Sequence, residues 1–209
     1  VDARGGFESL LTDSIMIMSY DHATNQVVQF SLPRDLLAPY NGRYDKINAV
    51  FPYSYGNAKS QKKDDDTAFK EGFENLSKAI EAISGLKIHY GVMVNFTGFK
   101  DIVDQIGGIN INVERAFTDY TFPNGNDTGV ITVSFKAGEQ SMNGTRALQY
   151  ARSRHSLDNN EGTDFARAKR QQKVVNAIKD KILGSSTLSQ ADSINKIIGI
   201  IGKNIKFYR

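Results

Sequence analysis

Residues 90–113, YGVMVNFTGFKDIVDQIGGININV, decide the fold class. Tyr90, Val92, Val94 and Phe96 occupy alternate positions, the two-residue period of a strand. Phe99, Ile102, Val103 and Ile106 then repeat at the three- and four-residue spacing of a helix face, and Gly107-Gly108 stops it. Ile109, Ile111 and Val113 alternate again. Strand, helix and strand in that order predict a crossover unit between parallel strands.

Upstream, Ser14 to Leu32 reads as two strands around a polar turn at Asp21–Gln26. Ile15 and Ile17 alternate with Met16 and Met18, so both faces are apolar and a central strand is expected. Pro33 to Tyr55 holds three of the four prolines and reads as a long loop. Ala68 to Ser84 reads as a helix through Phe69, Phe73, Leu76, Ile80 and Ile83. Downstream, Asp119–Gly129 reads as turns and Val130–Phe135 as a strand. Gly144–Ala151 reads as a helix, residues 152–163 as a polar loop, and Thr163 or Asp164 as the cap of a helix to about Leu183. Ser189–Lys203 reads as a further amphipathic helix and residues 205–208 as a last strand. The expected architecture is α/β: one α/β/α sandwich over residues 1–209, with a mixed central sheet and helices on both faces.

The 209 residues carry 26 basic and 23 acidic side chains, a net charge of +3. That balance gives no reason to expect nucleic acid as a partner. The absence of cysteine excludes disulfides, thiolate metal sites and thiol nucleophiles. His22, His89 and His155 form no HxxxH pair, which argues against a zinc hydrolase. No apolar run is long enough to span a membrane.

Arginine placement is the informative feature. Four of the ten arginines, Arg152, Arg154, Arg167 and Arg170, lie within nineteen residues. The guanidinium fork binds phosphate oxygens in a bidentate way that lysine cannot copy. Arg152 and Arg154 converge only if their segment is extended, and Gln171 shares a helix side with Arg167. An anion at that helix start would offset the unfavourable dipole term of cations placed there. The competing reading is a solvated basic face paired with Asp158, Glu161 and Asp164. A second cluster, Ser31-Leu32-Pro33-Arg34-Asp35, ends a strand, where ligand sites collect in α/β sheets. Lys46 in Lys46-Ile47-Asn48-Ala49 could add a phosphate contact. Asp2, Asp13 and Asp164 carry the hard oxygens that suit Mg²⁺ or Mn²⁺.

These motifs, taken together and in order, resemble the LytR-CpsA-Psr family. The resemblance runs from Asp2-Ala3-Arg4 and Thr12-Asp13-Ser14-Ile15, through Ser31–Asp35 and Lys46–Ala49, to Gly107-Gly108-Ile109. It ends at Met142-Asn143-Gly144, Ala147–Arg154 and Asp164–Gln172. Ala166 stands where the family often has glycine, and Leu32 where it often has isoleucine.

The resemblance implies a phosphotransferase on the outer face of the bacterial cytoplasmic membrane, at the cell surface. It would move a glycopolymer from a polyprenyl-pyrophosphate carrier to a peptidoglycan sugar hydroxyl, forming a phosphodiester. An upstream strand and a membrane-anchoring N-terminal helix are expected ahead of residue 1. Arg34, Lys46, Arg152, Arg154, Arg167, Arg170 and Gln171 would hold the pyrophosphate, with Arg34 also catalytic. Asp2 and Asp13 would hold Mg²⁺ or Mn²⁺, and Asp164, or in its place Asp35, would be the base. Phe69, Phe73, Leu76, Ile80, Val92, Val94, Phe99 and Val103 would line an apolar channel for the prenyl chain. A non-catalytic binder of the same lipid, or a hydrolase of it, would use the same groups.

Overall fold

The computed structural model describes residues 12, 14–24, 26–124, 129–184 and 205–209. They form an α/β fold whose chain divides into two compact units, Val1–Met93 with Lys206–Arg209, and Val94–Ile205. Among the described residues the strands pair as five two-stranded ladders. No described helix is long and apolar enough to cross a membrane.

In the first unit, β1 (Ile15–Asp21) pairs antiparallel with β2 (Gln26–Leu32), Ile15 facing Leu32. Ile15 and Ile17 are buried, but Met18 and Tyr20 are half exposed. Among the described residues β2 is the ladder partner of β1.

The expected loop at 33–55 is also corrected. It contains β3 (Leu37–Tyr40), β4 (Arg43–Lys46) and most of α1 (Ile47–Ser60). Asn41 and Gly42 both have positive φ, 50° and 75°, the two-residue turn that joins twisted antiparallel strands. No side chain caps α1. Instead the N–H groups of Ile47 and Asn48 donate to the carbonyls of Leu36 and Arg34, at 2.8 and 3.2 Å. Pro52 lies inside the helix and cannot donate to the Asn48 carbonyl four residues back. Thr12 makes up the deficit, its N–H and Oγ1 reaching that carbonyl at 3.2 and 3.3 Å.

α2 (Asp65–Ser84) follows the sequence expectation closely and is capped by Asp64, which accepts from the Thr67 N–H at 2.9 Å. Its apolar face packs on α1, with the Phe51 ring edge-on to Phe69 at 5.3 Å and to Phe73 at 6.1 Å.

β5 (Gly91–Val94) pairs with β10 (Ile205–Tyr208), the last strand expected from sequence. α3 (Phe96–Gln105) begins three residues earlier than its apolar pattern, because Asn95 caps it by accepting from the Gly98 N–H. β6 (Ile109–Val113) has the expected alternation of buried and exposed residues. The crossover reading is corrected: β6 pairs antiparallel with β9 (Gly138–Met142), Ile109 facing Met142. Between them β7 (Phe117–Pro123) and β8 (Val130–Phe135) form a hairpin whose register shifts between Asp119 and Phe122. The second core gathers Val103, Ile109, Ile111, Phe117, Phe135, Met142, Tyr150 and Val174. α4 (Gly144–Arg152) and α5 (Asp164–Gly184) pack on it. The helix expected at 189–203 lies outside the described residues.

Candidate anion-binding site

α4 leaves its helical path at Ser153, whose ψ of 134° starts an extended segment. Arg152 and Arg154 therefore sit on either side of a change of direction. The Arg152 guanidinium lies 4.0 Å from the Phe96 ring centre and 5.6 Å from that of Phe122, a cation–π arrangement that holds its planar face. Arg154 is exposed.

A helix ends with carbonyls that lack internal partners. α5 supplies donors for those of α4. Arg170 donates from Nε to the Tyr150 carbonyl at 2.9 Å and from Nη2 to the Ser153 carbonyl. Its Nη1 reaches the Glu161 carbonyl at 2.8 Å and the Glu161 carboxylate at 2.6 Å. Gln171 donates to the Ala151 carbonyl at 3.4 Å. Arg170 is only 2% exposed and its guanidinium lies 4.7 Å over Phe117. Burial lowers its pKa, and the Glu161 contact opposes that shift. This corrects the expectation that Arg170 binds pyrophosphate: its fork is engaged by protein oxygens and it serves as a structural clamp. The neighbouring Tyr150 hydroxyl is pushed up to about 12 by burial.

The start of α5 decides between the two caps the sequence offers. Thr163 Oγ1 accepts from the Ala166 N–H at 3.1 Å, so Thr163 is the cap. Asp164 is the first helical residue, with a side chain 76% exposed and bound to Arg167 Nη2 at 2.8 Å. Its carboxylate is therefore available to solvent rather than fixed on backbone N–H groups. Farther along α5, Lys169 and Lys173 both reach Glu114 at 2.7 Å and hold its carboxyl down to about 2.

Asp119 was not among the residues singled out from sequence, because the stretch it opens reads as turns. It is the most consequential of those missed. It is 1% exposed, in β7, and its Oδ2 accepts from the N–H groups of Arg154 and His155 at 3.0 and 3.3 Å. Its Oδ1 accepts from the Thr121 N–H at 3.1 Å. The signal was available: Asp119 stands two residues after Phe117, on the inward phase of a strand.

The first unit carries the other basic cluster. Asp35 bonds Lys46 Nζ at 2.8 Å and lies 3.4 Å from Arg34 Nε. The Lys46 hydrogen bond, helped by the charges of Lys46 and Arg34, holds the Asp35 carboxyl below its usual range against desolvation. The turn is anchored by the contact of the Arg34 carbonyl with α1.

The remaining candidates divide between the units. Phe69, Phe73, Leu76 and Ile80 are buried in the first core, while Val92 is exposed and Val94 half-buried. In the second unit Val103 is buried and Phe99 packs partly buried against that core. Asp2 and Asp13 lie outside the described residues. Among the described residues no three His, Asp or Glu side chains cluster as metal ligands.

The model of the LytR_cpsA_psr family matches residues 1–207. The chain belongs to the LytR-CpsA-Psr family. It is 31% identical to the regulatory protein MsrR of Staphylococcus aureus (strain COL) over 206 residues, 97% of this chain and 53% of that one. It is 28% identical over 187 residues to TagV of Bacillus subtilis (strain 168), covering 88% of this chain and 42% of TagV. TagV is named as a polyisoprenyl-teichoic acid–peptidoglycan teichoic acid transferase. The crystal structure of B. subtilis TagU superposes with a TM-score of 0.65 at 25% identity, covering 98% of this chain and 74% of TagU. The chain spans about half the length of the curated relatives it matches.

Proposed function

We propose that the chain is the catalytic domain of a phosphotransferase that moves a glycopolymer from a polyprenyl-pyrophosphate carrier to a peptidoglycan sugar hydroxyl. It would act at the cell surface, on the outer face of the cytoplasmic membrane, tethered by a helix upstream of residue 1. The observation that carries this reading is the division of labour at the α4–α5 junction. Arg170 and Gln171 hold the backbone, and Arg152, Arg154 and Arg167 are carried on the braced segment and the adjoining helix start. Fixed guanidinium groups stabilise charge spread over phosphoryl oxygens without reorganising during the reaction.

The acceptor hydroxyl oxygen would attack the phosphorus that bears the sugar. The bond from that phosphorus to the polyprenyl phosphate would break, releasing polyprenyl monophosphate. Asp164 takes the hydroxyl proton in this scheme, since its exposed carboxylate adjoins Arg167. Asp35 is the second candidate; Lys46 and Arg34 keep it ionised but make it a weaker base. Arg34 and Lys46 would add phosphate contacts. Asp2 and Asp13 would supply hard oxygen donors of the kind that suit Mg²⁺ or Mn²⁺, and such an ion would share the pyrophosphate charge. The eight apolar residues from Phe69 to Val103 named above are the proposed contacts of the prenyl chain.

The test is turnover of a labelled polyprenyl-pyrophosphate glycan with peptidoglycan fragments. Phosphodiester-linked glycan on the fragments is expected. Release of free glycan phosphate alone would mark a hydrolase, and binding without turnover would mark a carrier; either would overturn the transferase reading.

A further inference from the structure

The buried carboxylate of Asp119 has no role in the scheme above, yet it lies directly beneath the arginine segment. One oxygen, Oδ2, receives the N–H groups of two consecutive residues, Arg154 and His155. Consecutive N–H groups that converge on one anion form a concave backbone nest. Such convergence restricts the peptide planes on both sides of Arg154. The flanking chain is held as well. Ser156 makes a β-bridge to Asp119 itself, and the Ser153 carbonyl is held by Arg170. Gly162 returns against the Ser156 and Arg154 carbonyls, where a Cβ would come within 2.1 Å of the Ser156 oxygen. With the backbone N–H of Arg154 facing Asp119, its side chain stands exposed.

We infer that Asp119 is a positioning residue for the pyrophosphate site, acting through the backbone of Arg154 and His155 to aim the Arg154 guanidinium. This inference rests on the proposed phosphotransferase reading. It predicts that the site is built before the ligand arrives rather than assembled by it.

The test uses Asp119→Asn, which keeps the shape but turns an NH₂ donor toward one of the backbone donors. Two measurements are made on wild type and variant. The first is affinity for a short-chain prenyl pyrophosphate by calorimetry; the second is amide hydrogen exchange at Arg154 and His155. Asp119→Asn should bind at least tenfold more weakly and lose protection at those two amides, with the rest of α4 and α5 still protected. A double variant with Arg154→Ala should bind no more than about twofold more weakly than Arg154→Ala alone, since the two share one effect. Fully additive losses would reduce Asp119 to general support and overturn the inference, as would unchanged affinity or unchanged protection. Should Asp119→Asn fail to fold, Asp119→Ser, which leaves a small hydroxyl and no misplaced donor, is measured in the same way. If the wild type does not bind the probe at all, the phosphotransferase reading fails. The exchange arm then still decides whether Asp119 holds the segment.

Discussion

Arg170→Met separates an arginine that holds the protein from one that holds a ligand. The substitution keeps a long side chain but removes hydrogen bonds to the carbonyls of Tyr150, Ser153 and Glu161 and to the Glu161 carboxylate. The arginine side of the ion pair is buried and the carboxylate largely so, with side chains 3% and 17% exposed. Breaking such a pair from one side leaves an uncompensated carboxylate and costs about 3–5 kcal/mol. Each stranded carbonyl alone would cost roughly 1–3 kcal/mol, but those losses overlap with the pair and are not summed. A domain is stable by only about 5–15 kcal/mol, so the loss is a large share of the total. In urea, a slope of about 2 kcal/mol per molar converts it to a midpoint lowered by roughly 1.5–2.5 M. Arg154→Ala, at an exposed position, should shift the midpoint by less than about 0.5 kcal/mol worth of stability while weakening prenyl-pyrophosphate binding tenfold or more. Circular dichroism in urea and calorimetry with the same lipid probe read the two effects. A loss below about 1 kcal/mol in Arg170→Met, together with weakened binding, would show that Arg170 faces the ligand and would refute the clamp.

Asp164→Asn should fold with wild-type stability, because Thr163 caps α5, and should bind the lipid pyrophosphate while losing most transfer activity. Near-normal turnover would move the base to Asp35. Glu114 gives a pH test with a definite sign: its carboxyl drops from 4.5 to about 2 on pairing with Lys169 and Lys173. The pairing therefore stabilises fully above about pH 4.5 and is lost as pH falls through about 2. Thermal melts of wild type and Glu114→Gln from pH 7 to pH 3 should converge toward the acid end. A gap that stays constant with pH would assign the difference to packing instead.

Much of the fold is legible where local pattern and tertiary burial agree. The α2 helix is an example: Phe69, Phe73, Leu76 and Ile80 announce its face, and that face is what packs on α1. The 33–55 stretch is harder because its prolines suggest a loop, although Asn41-Gly42 already encodes a tight hairpin turn. The crossover fails for a different reason. Alternation identifies β6 as a strand but contains nothing about its partner, and β9, with Glu139, Gln140 and Ser141, carries almost no apolar signal. At the site, Arg167 and Arg170 look alike in sequence. Only burial of Arg170 against the end of α4 tells the clamp from the candidate ligand. Asp119 is hidden by the same limit, since a carboxylate in a polar stretch reads as a turn until the backbone it serves is seen.

The proline in α1 has a consequence for the order in which the chain matures. A helix of fourteen residues would ordinarily complete its hydrogen bonds from within, but this one waits on a residue 36 positions earlier. Ribosomes deliver the amino-terminal side first. Thr12 thus emerges before Asn48, and its donors are already present when the carbonyl left open by Pro52 takes shape. Reordering the chain, for example by a circular permutation that moves residue 12 behind α1, would reverse that delivery and leave the helix provisional until the last segment arrived.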